Sequence, residues 1–488
     1  MTAQRDHPEP LRSLRKDAGA IFAHTLEACG VDRAFRERLR VEDSTIVVEH
    51  PFSPERSRPP LQIDLRPFRK ILIVSFGKAA VPMMESLLAI LPRKPRIHGV
   101  CSAPAKPAKR DWRIRYYAGG HPVPNRDSLR AARRALRMLR RASKTTLVLY
   151  LISGGGSALI DLPLDPTISL ADLVSFHRAL IASGAPIAEI NTLRKHLSAV
   201  KGGRLAEAAA RATKLTLQIV DVPASHSDAV ASGPTLEDPS TVQDCREILE
   251  RYHLLENFPA SVRRFFSRPD LPETPGDKAA MKYAAEKREE ARKAGRKVFA
   301  FGYLTTAPLG TNWLATVLSN RDLLRAAHEK AAALGYEVVI DNACDDWPYD
   351  KAADYLADRL IKVRAQHLGR KLCLLSGGEV TVHIDRAPGI GGRNQQFALA
   401  CALLLEERLR DQAIVCLSAG SDGADGNSPA AGAFVDPATG SRARAHNLDP
   451  TAALANFDAG TLFSALGDGI VTGPTGNNLR DLRIFLSA

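Results

Sequence analysis

Residues 372–397, LCLLSGGEVTVHIDRAPGIGGRNQQF, decide the fold. The apolar run at 372–375 predicts a buried strand of a parallel sheet. That strand breaks at a turn in which backbone N–H groups can approach a ligand closely. The residues of this turn that we assign to substrate or nucleotide binding are Ser376, Gly377, Gly378 and Glu379.

The second half of the same stretch predicts an anion site. Three glycines, at 389, 391 and 392, lead into Arg393 and Asn394 just before a helical pattern. Glycines ahead of a cation at a helix N-terminus combine N–H donors, the helix dipole and a guanidinium.

An upstream segment repeats the first half of this pattern. Residues 147–152 read as a second buried strand, and they break at another glycine turn. Its candidate binding residues are Ser153, Gly154, Gly155, Gly156 and Ser157. Two strands that end in SGG predict two α/β units with ligand loops at the carboxyl ends of their strands.

Length and composition indicate a protein of several domains with no membrane segment. The chain has 488 residues, no apolar run of about 18 residues, and a polar N-terminus without a signal-peptide core. Its seven cysteines form no CxxC pair and predict buried thiols rather than zinc ligands or disulfides. We therefore expect a cytoplasmic protein without a membrane partner.

The net charge of +13 is the strongest bias in the composition. Arginines cluster on one face of a predicted helix at 128–141, without interleaved aromatic residues, a helix-turn-helix or zinc-ligand spacing. We therefore expect no nucleic-acid partner and interpret the charge as attraction for small anionic substrates.

Other candidates follow predicted strands or sit in glycine loops. Lys78 follows the strand at 71–76 and is placed to meet phosphate, although a lone lysine there is usually just exposed. His121 lies in the loop AGGHPVPN, where it binds a ligand or caps a turn, and Arg194 and Lys201 surround another glycine pair.

Three aspartates are candidate ligands for Mg²⁺. Asp221 ends the strand pattern at 215–223, while Asp422 and Asp425 follow the predicted strand at 413–420. Aspartates at a strand end hold Mg²⁺ through water, but Asp-Gly pairs also form ordinary turns. No GxGxxG follows any strand, and GxxxxGK[ST], HExxH and GxSxG are missing.

Taken in order, the motifs resemble the class II glycerate 2-kinases, whose C-terminal module is called MOFRL. They are GKAA, AGGHPVPN, SGGGSAL, INTLRKHLSAVKGGRLA, ASGPT, SGGEVTV, GGRNQQFALA, SDGADGNSPAAGAFVD and TGPTGNNLRDL, from about residue 70 to the end. The resemblance implies two Rossmann-like three-layer α/β domains with largely parallel sheets and an active site in the cleft between them. We place the domains at residues 1–270 and 271–488, the second containing the MOFRL module.

The resemblance also implies the chemistry. ATP and Mg²⁺ would phosphorylate the 2-hydroxyl of D-glycerate to 2-phosphoglycerate, with Lys78 and Arg393 as the catalytic pair. Phosphoryl transfer rests on positioning and charge neutralisation, which two cations supply. The SGG loops would hold phosphates or the substrate carboxylate, and the protein would be a monomer or a homodimer.

Several polar positions depart from the family pattern. The loop after Asp221 lacks the usual glycine and further acids, and Asn125, Gln396, Ser421 and Asn477 replace the usual aspartate, glutamate and threonines. Two alternatives therefore stand beside the kinase: an oxidoreductase acting on hydroxypyruvate, and a binding or regulatory protein with weakened catalysis. The absence of GxGxxG speaks against the first.

Overall fold

The computed structural model describes residues 8–49, 60–92, 95–221, 230–278, 304–305 and 309–488. Contacts divide the chain into two compact units. The first unit comprises residues 34–220 and 224–317, and the second unit comprises residues 1–33, 221–223 and 318–488. The units defined by contacts do not meet at the domain boundary that we expect at 270/271. That boundary, as a boundary between family domains, stays a prediction. The change in composition on which that boundary rests lies between about residues 258 and 297, and the part after residue 278 falls outside the described residues.

The first unit contains a seven-stranded sheet in the order β6-β5-β4-β7-β8-β10-β9. Its strands are β4 Lys70–Phe76, β5 Arg96–Ala103, β6 Ile114–Ala118, β7 Thr146–Ile152, β8 Thr213–Val220, β9 Leu304–Thr305 and β10 Asn312–Ser319. The pairs from β4 to β8 are parallel, and β9 runs antiparallel to β10. The largely parallel sheet predicted for this half is confirmed. A small antiparallel sheet precedes it, made of β1 Leu39–Glu42, β2 Thr45–Val48 and β3 Leu61–Asp64.

The second unit contains a six-stranded sheet in the order β11-β12-β16-β13-β14-β15. Its strands are β11 Glu337–Ile340, β12 Leu372–Gly378, β13 Ile414–Gly420, β14 Gly432–Val435, β15 Gly469–Ile470 and β16 Asp481–Ser487. Only β11 and β12 pair in parallel; the other four pairs are antiparallel. The prediction of a largely parallel sheet is wrong here, because the apolar strand β16 returns between β12 and β13 without a crossover helix.

Helices connect and cover the strands. They are α1 Glu9–Ala28, α2 Val31–Arg38, α3 Ala80–Ile90, α4 Arg126–Leu139, α5 Gly156–Leu159, α6 Leu170–Ala182, α7 Ile187–Leu197, α8 Arg204–Glu207, α9 Val242–Arg251, α10 Ala260–Phe266, α11 Asn320–Ala333, α12 Tyr349–Gln366, α13 Arg393–Arg408, α14 Thr439–Ala445, α15 Pro450–Ala455 and α16 Ala459–Leu466. Every residue of β7, β12, β13 and β16 is buried, so both faces of each sheet are covered there.

The N-terminal helix α1 belongs to the second unit. Its apolar stripe, which includes Leu14, Ala18, Ile21 and Phe22, is buried. On the same buried side, the Arg15 guanidinium lies 2.6 Å from an Asp436 carboxylate oxygen and 2.7 Å from an Asp468 oxygen. Apolar burial and this ion pair together hold the beginning of the chain onto strands that come near its end.

All seven cysteines are free and buried, as predicted. Among the helices that the structure describes, none combines the length and apolarity that a bilayer crossing requires.

Candidate functional site

In the first unit, the loops after β4 and β7 meet at one edge of the sheet. Phe76 and Ile152 are paired across these parallel strands, so the residues that follow them lie side by side. The Lys78 N–H donates to the Gly154 carbonyl at 2.8 Å, and the Ala79 N–H donates to Ser153 Oγ at 3.0 Å. The predicted lysine and the first SGG turn therefore form one structure.

His121 lies against the same turn. Gly155 has a φ of +75°, and a Cβ added to it would lie 2.9 Å from His121 Cδ2 and 3.3 Å from Lys78 Cγ. Only glycine leaves room for both side chains in this backbone conformation. Burial and the Lys78 ammonium lower the pKa of His121, so its imidazole is neutral and the lysine carries the local charge.

A chain of polar side chains continues from Ser157. Its Oγ lies 2.8 Å from Ser232 Oγ, which donates to Asn191 Oδ1 at 3.1 Å. Arg194 Nη1 donates to the same Asn191 oxygen at 3.4 Å. Burial lowers the pKa of Arg194, and the negative charge of Asp161 offsets part of that effect. The sequence did not single out Asn191 or Ser232, although both lie within the motifs quoted above.

Lys201, predicted to bind substrate, forms an ion pair with a buried carboxylate instead. Its Nζ lies 2.6 Å from Asp161 Oδ1, and both side chains are buried. Asp161 also contacts His177 Nε2 at 2.9 Å and accepts from Ser198 Oγ at 2.7 Å. Burial raises the pKa of Asp161, but Lys201 and His177 outweigh it and the net pKa is lowered. This cluster connects Asp161, which follows the first SGG turn, to α6 and to the segment after α7.

In the second unit, Arg393 is the first residue of α13 and forms a fork on two carboxylates. Its Nε lies 2.7 Å from Asp481 Oδ2, and its Nη2 lies 3.0 Å from Asp481 Oδ1 and 2.8 Å from Glu379 Oε1. Asp481 begins β16 and is paired with Gly378 and Gly420. It therefore sits at the carboxyl ends of both β12 and β13, a position that the sequence did not indicate.

The carboxyl group of Glu379 has a raised pKa. Burial and the neighbouring charge of Asp481 raise its pKa, Arg393 and Arg480 lower it, and Asp221 raises it again, to about 7. For Arg393, burial lowers the pKa but Asp481 and Glu379 outweigh it, so the guanidinium stays charged. A permanent cation thus contacts a carboxyl group that exchanges its proton near neutral pH.

The second SGG turn is built differently from the first. The Gly377 N–H donates to Asn342 Oδ1 at 2.8 Å, and the Glu379 N–H donates to Asp345 Oδ1 at 3.0 Å. Ser376 is buried, with its Oγ 3.6 Å from Cys344 Sγ. These donors are used inside the unit, so the turn serves to place Glu379 rather than to present an open row of N–H groups.

Asp425, predicted as a metal ligand, caps α13. Its Oδ1 accepts from the Asn394 N–H at 3.0 Å and its Oδ2 from the Gln395 N–H at 2.8 Å. Asn394 is buried and accepts from Ser418 Oγ at 2.8 Å, which orients the start of the helix. Burial raises the pKa of Asp425 to about 6. A buried carboxylate with both oxygens bonded to helix N–H groups does not fit a metal site.

Asp422 and Asp221 are the other two predicted metal ligands. A Cβ built on Gly420 would lie 3.2 Å from Asp422 Oδ1 and 3.5 Å from Asp481 Oδ1, so these carboxylates flank the same strand end. Asp221 belongs to the second unit by its contacts and contributes to the raised pKa of Glu379. Among the described residues, no group of three His, Cys, Asp or Glu side chains forms a complete metal site. Mg²⁺ would therefore need oxygen atoms from phosphate and water as well.

These features define an α/β protein with cationic, glycine-rich turns at the carboxyl ends of its strands. Residues 17–267 match the family described as "Domain of unknown function (DUF4147)", and residues 372–481 match the MOFRL family. The chain is 32% identical to the D-glycerate 2-kinase of Thermotoga maritima, over 97% of this chain and 98% of the relative. It is 35% identical to a putative hydroxypyruvate reductase of Agrobacterium vitis, over 86% and 88% of the two chains.

A solved structure extends the likeness to the fold. The crystal structure of glycerate kinase from Thermotoga maritima matches with a TM-score of 0.74 and 31% identity, covering 98% of this chain and all of the other. The chain belongs to the glycerate 2-kinase family, with DUF4147 and MOFRL regions. The family predicted from the motifs is confirmed.

Proposed function

We propose that the protein is an ATP-dependent kinase that phosphorylates the 2-hydroxyl of D-glycerate to give 2-phosphoglycerate. The observation that carries the proposal is the Arg393 fork. Its Nε and Nη2 are held by Asp481 and Glu379, its side chain is 37% exposed, and within the described residues its Nη1 makes no hydrogen bond. A fixed guanidinium with one free edge is suited to a phosphoryl oxygen in the transition state.

Lys78 supplies a second cation in the proposal. Its backbone is fixed by Gly154, and its side-chain stem lies against Gly155 beside a neutral histidine. As a flexible point charge it suits a phosphate or carboxylate oxygen. That Lys78 and Arg393 act on one phosphoryl group stays a prediction of the family resemblance.

Glu379 is the proton acceptor in this proposal. The substrate hydroxyl oxygen forms the new bond to the γ-phosphorus, the bond from that phosphorus to the ADP oxygen breaks, and the hydroxyl proton moves to Glu379. A carboxyl group with a pKa of about 7 is matched to this step at neutral pH. Asp481 and Arg393 hold it in place.

The test is a coupled ADP-release assay over a panel of 2-hydroxy acids, with phosphorus NMR of the product. We expect turnover with D-glycerate and a phosphate at the 2-position. Absence of ADP release with every hydroxy acid, together with intact ATP binding, would instead favour a weakened binding protein. The hydroxypyruvate alternative, which the Agrobacterium relative's name keeps open, predicts NAD(P)H oxidation with hydroxypyruvate; we expect none.

The metal requirement has its own test. We expect Asp422→Asn and Asp221→Asn to raise the Mg²⁺ concentration for half-maximal activity, because in this proposal both carboxylates supply oxygen ligands to the phosphate-bound ion. Asp425→Asn should leave that concentration unchanged, since its role is to cap α13. The control is Asp411→Asn, an exposed position. If the Mg²⁺ titration curve for Asp425→Asn were displaced as far as the curve for Asp422→Asn, Asp425 would be a metal ligand after all.

A further inference from the structure

A long positively charged surface of the first unit lies on α4 and just beyond it. Residues 126–141 carry seven arginines and one aspartate. Asp127 pairs with Arg130 and Lys106, and no other ion pair of this segment is found within the described residues. Among the residues that the structure describes, six exposed arginines thus have no acidic partner: Arg126, Arg133, Arg134, Arg137, Arg140 and Arg141.

The opposite face of α4 explains why the arginines line up. Leu129, Leu136 and Leu139 are buried with Ala131, Ala132 and Ala135, and the helix packs on β5 and β6. The charged positions recur at three- and four-residue spacing, so they form one stripe about 22 Å long at 1.5 Å per residue. Like charges at that spacing repel one another and weaken the helix. The sequence carries this stripe although it costs stability.

A second basic segment with an exposed aromatic ring adjoins the start of this helix. In the loop between β5 and β6, Trp112 is 83% exposed; Lys109 and Arg110 of the same loop and Arg115 of β6 are exposed as well. Lys106 of the same loop lies 3.6 Å from Asp127 of α4, which ties the loop to the helix. A tryptophan with most of its surface in water and three exposed cations within three residues of it in the sequence is not needed by the core.

We propose that α4 and the 106–115 loop form a binding surface for single-stranded nucleic acid. Arginine forks match phosphate oxygens along a strand, and an exposed indole gives one base a surface on which to stack. Because the apolar face of α4 is buried in the protein, the helix has no face left to enter a bilayer. From the sequence we expect no nucleic-acid partner, because no aromatic residue lies among the arginines of the helix. Trp112 lies outside that helix, and its exposure is visible only in the fold.

The test uses the full chain and a fluorescein-labelled 20-residue oligouridylate, with anisotropy read from 50 to 300 mM salt. Wild-type protein should bind, with affinity falling steeply as salt rises. In Arg133→Gln/Arg137→Gln, affinity at 100 mM salt should fall at least about tenfold and the slope of log K against log salt by about 1.4, the value for two phosphate contacts on a single strand. Trp112→Ala should weaken binding at least about fivefold with an unchanged slope.

The matched control is Lys362→Gln/Arg410→Gln, which removes two exposed positive charges from the second unit. It should bind like wild type, and all variants should keep wild-type ATPase or kinase turnover, because none of these residues lies in the proposed active site. No binding by the wild type at 50 mM salt, or equal losses in the control and the α4 variant, would overturn the proposal. So would tighter capture by vesicles rich in phosphatidylglycerol than by RNA, which would assign the surface to a membrane.

Discussion

At the scale of single residues, the position of Arg393 is the feature on which the proposed chemistry depends. We expect Arg393→Ala to lower kcat at least about a hundredfold, the usual loss when one transition-state charge donor is removed. Lys78→Ala should have a similar effect for the same reason. The measurement is initial-rate kinetics on the best substrate.

Arg408→Ala controls for charge on the same helix, because Arg408 pairs with Asp354 and Asp358 at the other end of α13. Lys144→Ala, an exposed position, serves the same purpose for Lys78. Wild-type kcat in both Arg393→Ala and Lys78→Ala would refute the assigned catalytic roles.

Glu379 predicts opposite pH trends for activity and stability. A proton acceptor must be ionised, so kcat should rise with pH through about 7. Its folded pKa lies above the ordinary value of 4.5, so the folded state binds more protons than the unfolded state between these pH values. The free energy of unfolding should therefore fall as pH rises from about 4.5 to 7, by about 1–2 kcal/mol after allowing for the 28% exposure of the side chain.

Glu379→Gln should remove both trends, whereas Glu407→Gln, at an exposed position of α13, should keep them. Denaturant unfolding and kcat are measured for the three proteins at pH 5, 6, 7 and 8. Parallel pH profiles for wild type and Glu379→Gln would show that another group titrates.

At the scale of elements, the glycine turns show which features of the fold sequence patterns predict and which they do not. Both SGG turns, the strands before them and a helix after GGRN were predictable, because buried apolar runs and glycine breaks are local signals. The helix begins at Arg393 itself, ahead of the apolar pattern that predicts it. The hydrogen-bond partners of the turns were not predictable, because they are not set by neighbouring residues in the sequence. Whether a glycine N–H faces solvent or Asn342 depends on residues far along the chain, and so does the choice of Asp425 as a cap rather than a metal ligand.

The partner of Arg393 was missed for the same reason. Asp481 reaches the site only because β16 enters the middle of the second sheet, and an apolar run near the end of a sequence does not show which strands it joins. The buried Asp161 was missed too, since its value lies in contacts with Lys201 and His177. Motif order identified the family, but contacts between residues 16 to 88 positions apart determined the surroundings of these carboxylates.

Gly378 offers a prediction at this scale. It has a φ of +96°, and a Cβ there would lie 2.3 Å from Asp345 Oδ1. Gly378→Ala should lower the free energy of unfolding by more than the ~1–3 kcal/mol of backbone strain alone, because it also displaces the carboxylate that holds the Glu379 N–H. Gly369→Ala is the control: its φ is +75° but nothing lies within 4 Å of an added Cβ. Equal losses in the two variants, measured by urea unfolding, would rule out the steric contribution.

At the scale of the whole molecule, α1 is tied to the second unit by the ion pairs of Arg15 with Asp436 and Asp468. Arg15→Ala should lower the free energy of unfolding by about 3 kcal/mol, the low end for breaking a buried ion pair, because Arg442 still lies 2.7 Å from Asp468 and 3.7 Å from Asp436. Hydrogen exchange should then accelerate in β13 and β16 and stay unchanged in β4 and β7, which belong to the first unit.

The double variant Arg15→Met/Asp436→Asn should recover part of the lost stability, because it removes the carboxylate that has lost its close cation while Asp468 keeps its ion pair with Arg442. Faster exchange in β4 and β7 of Arg15→Ala, to the same extent as in β13 and β16, would show that the two units do not lose structure separately.

The central place of β16 has a consequence for how the chain is made. While a ribosome synthesises the protein, β12 and β13 emerge with a gap between them that residues 481–487 fill. Helix α1, which packs against β13 and β16, is synthesised before any of these strands. The parallel core of the first unit, by contrast, has its strands β4 to β8 complete by residue 220. A nascent chain therefore carries a nearly finished first sheet while the second remains open along its middle, and that opening is where chaperones or unwanted strand pairing would act.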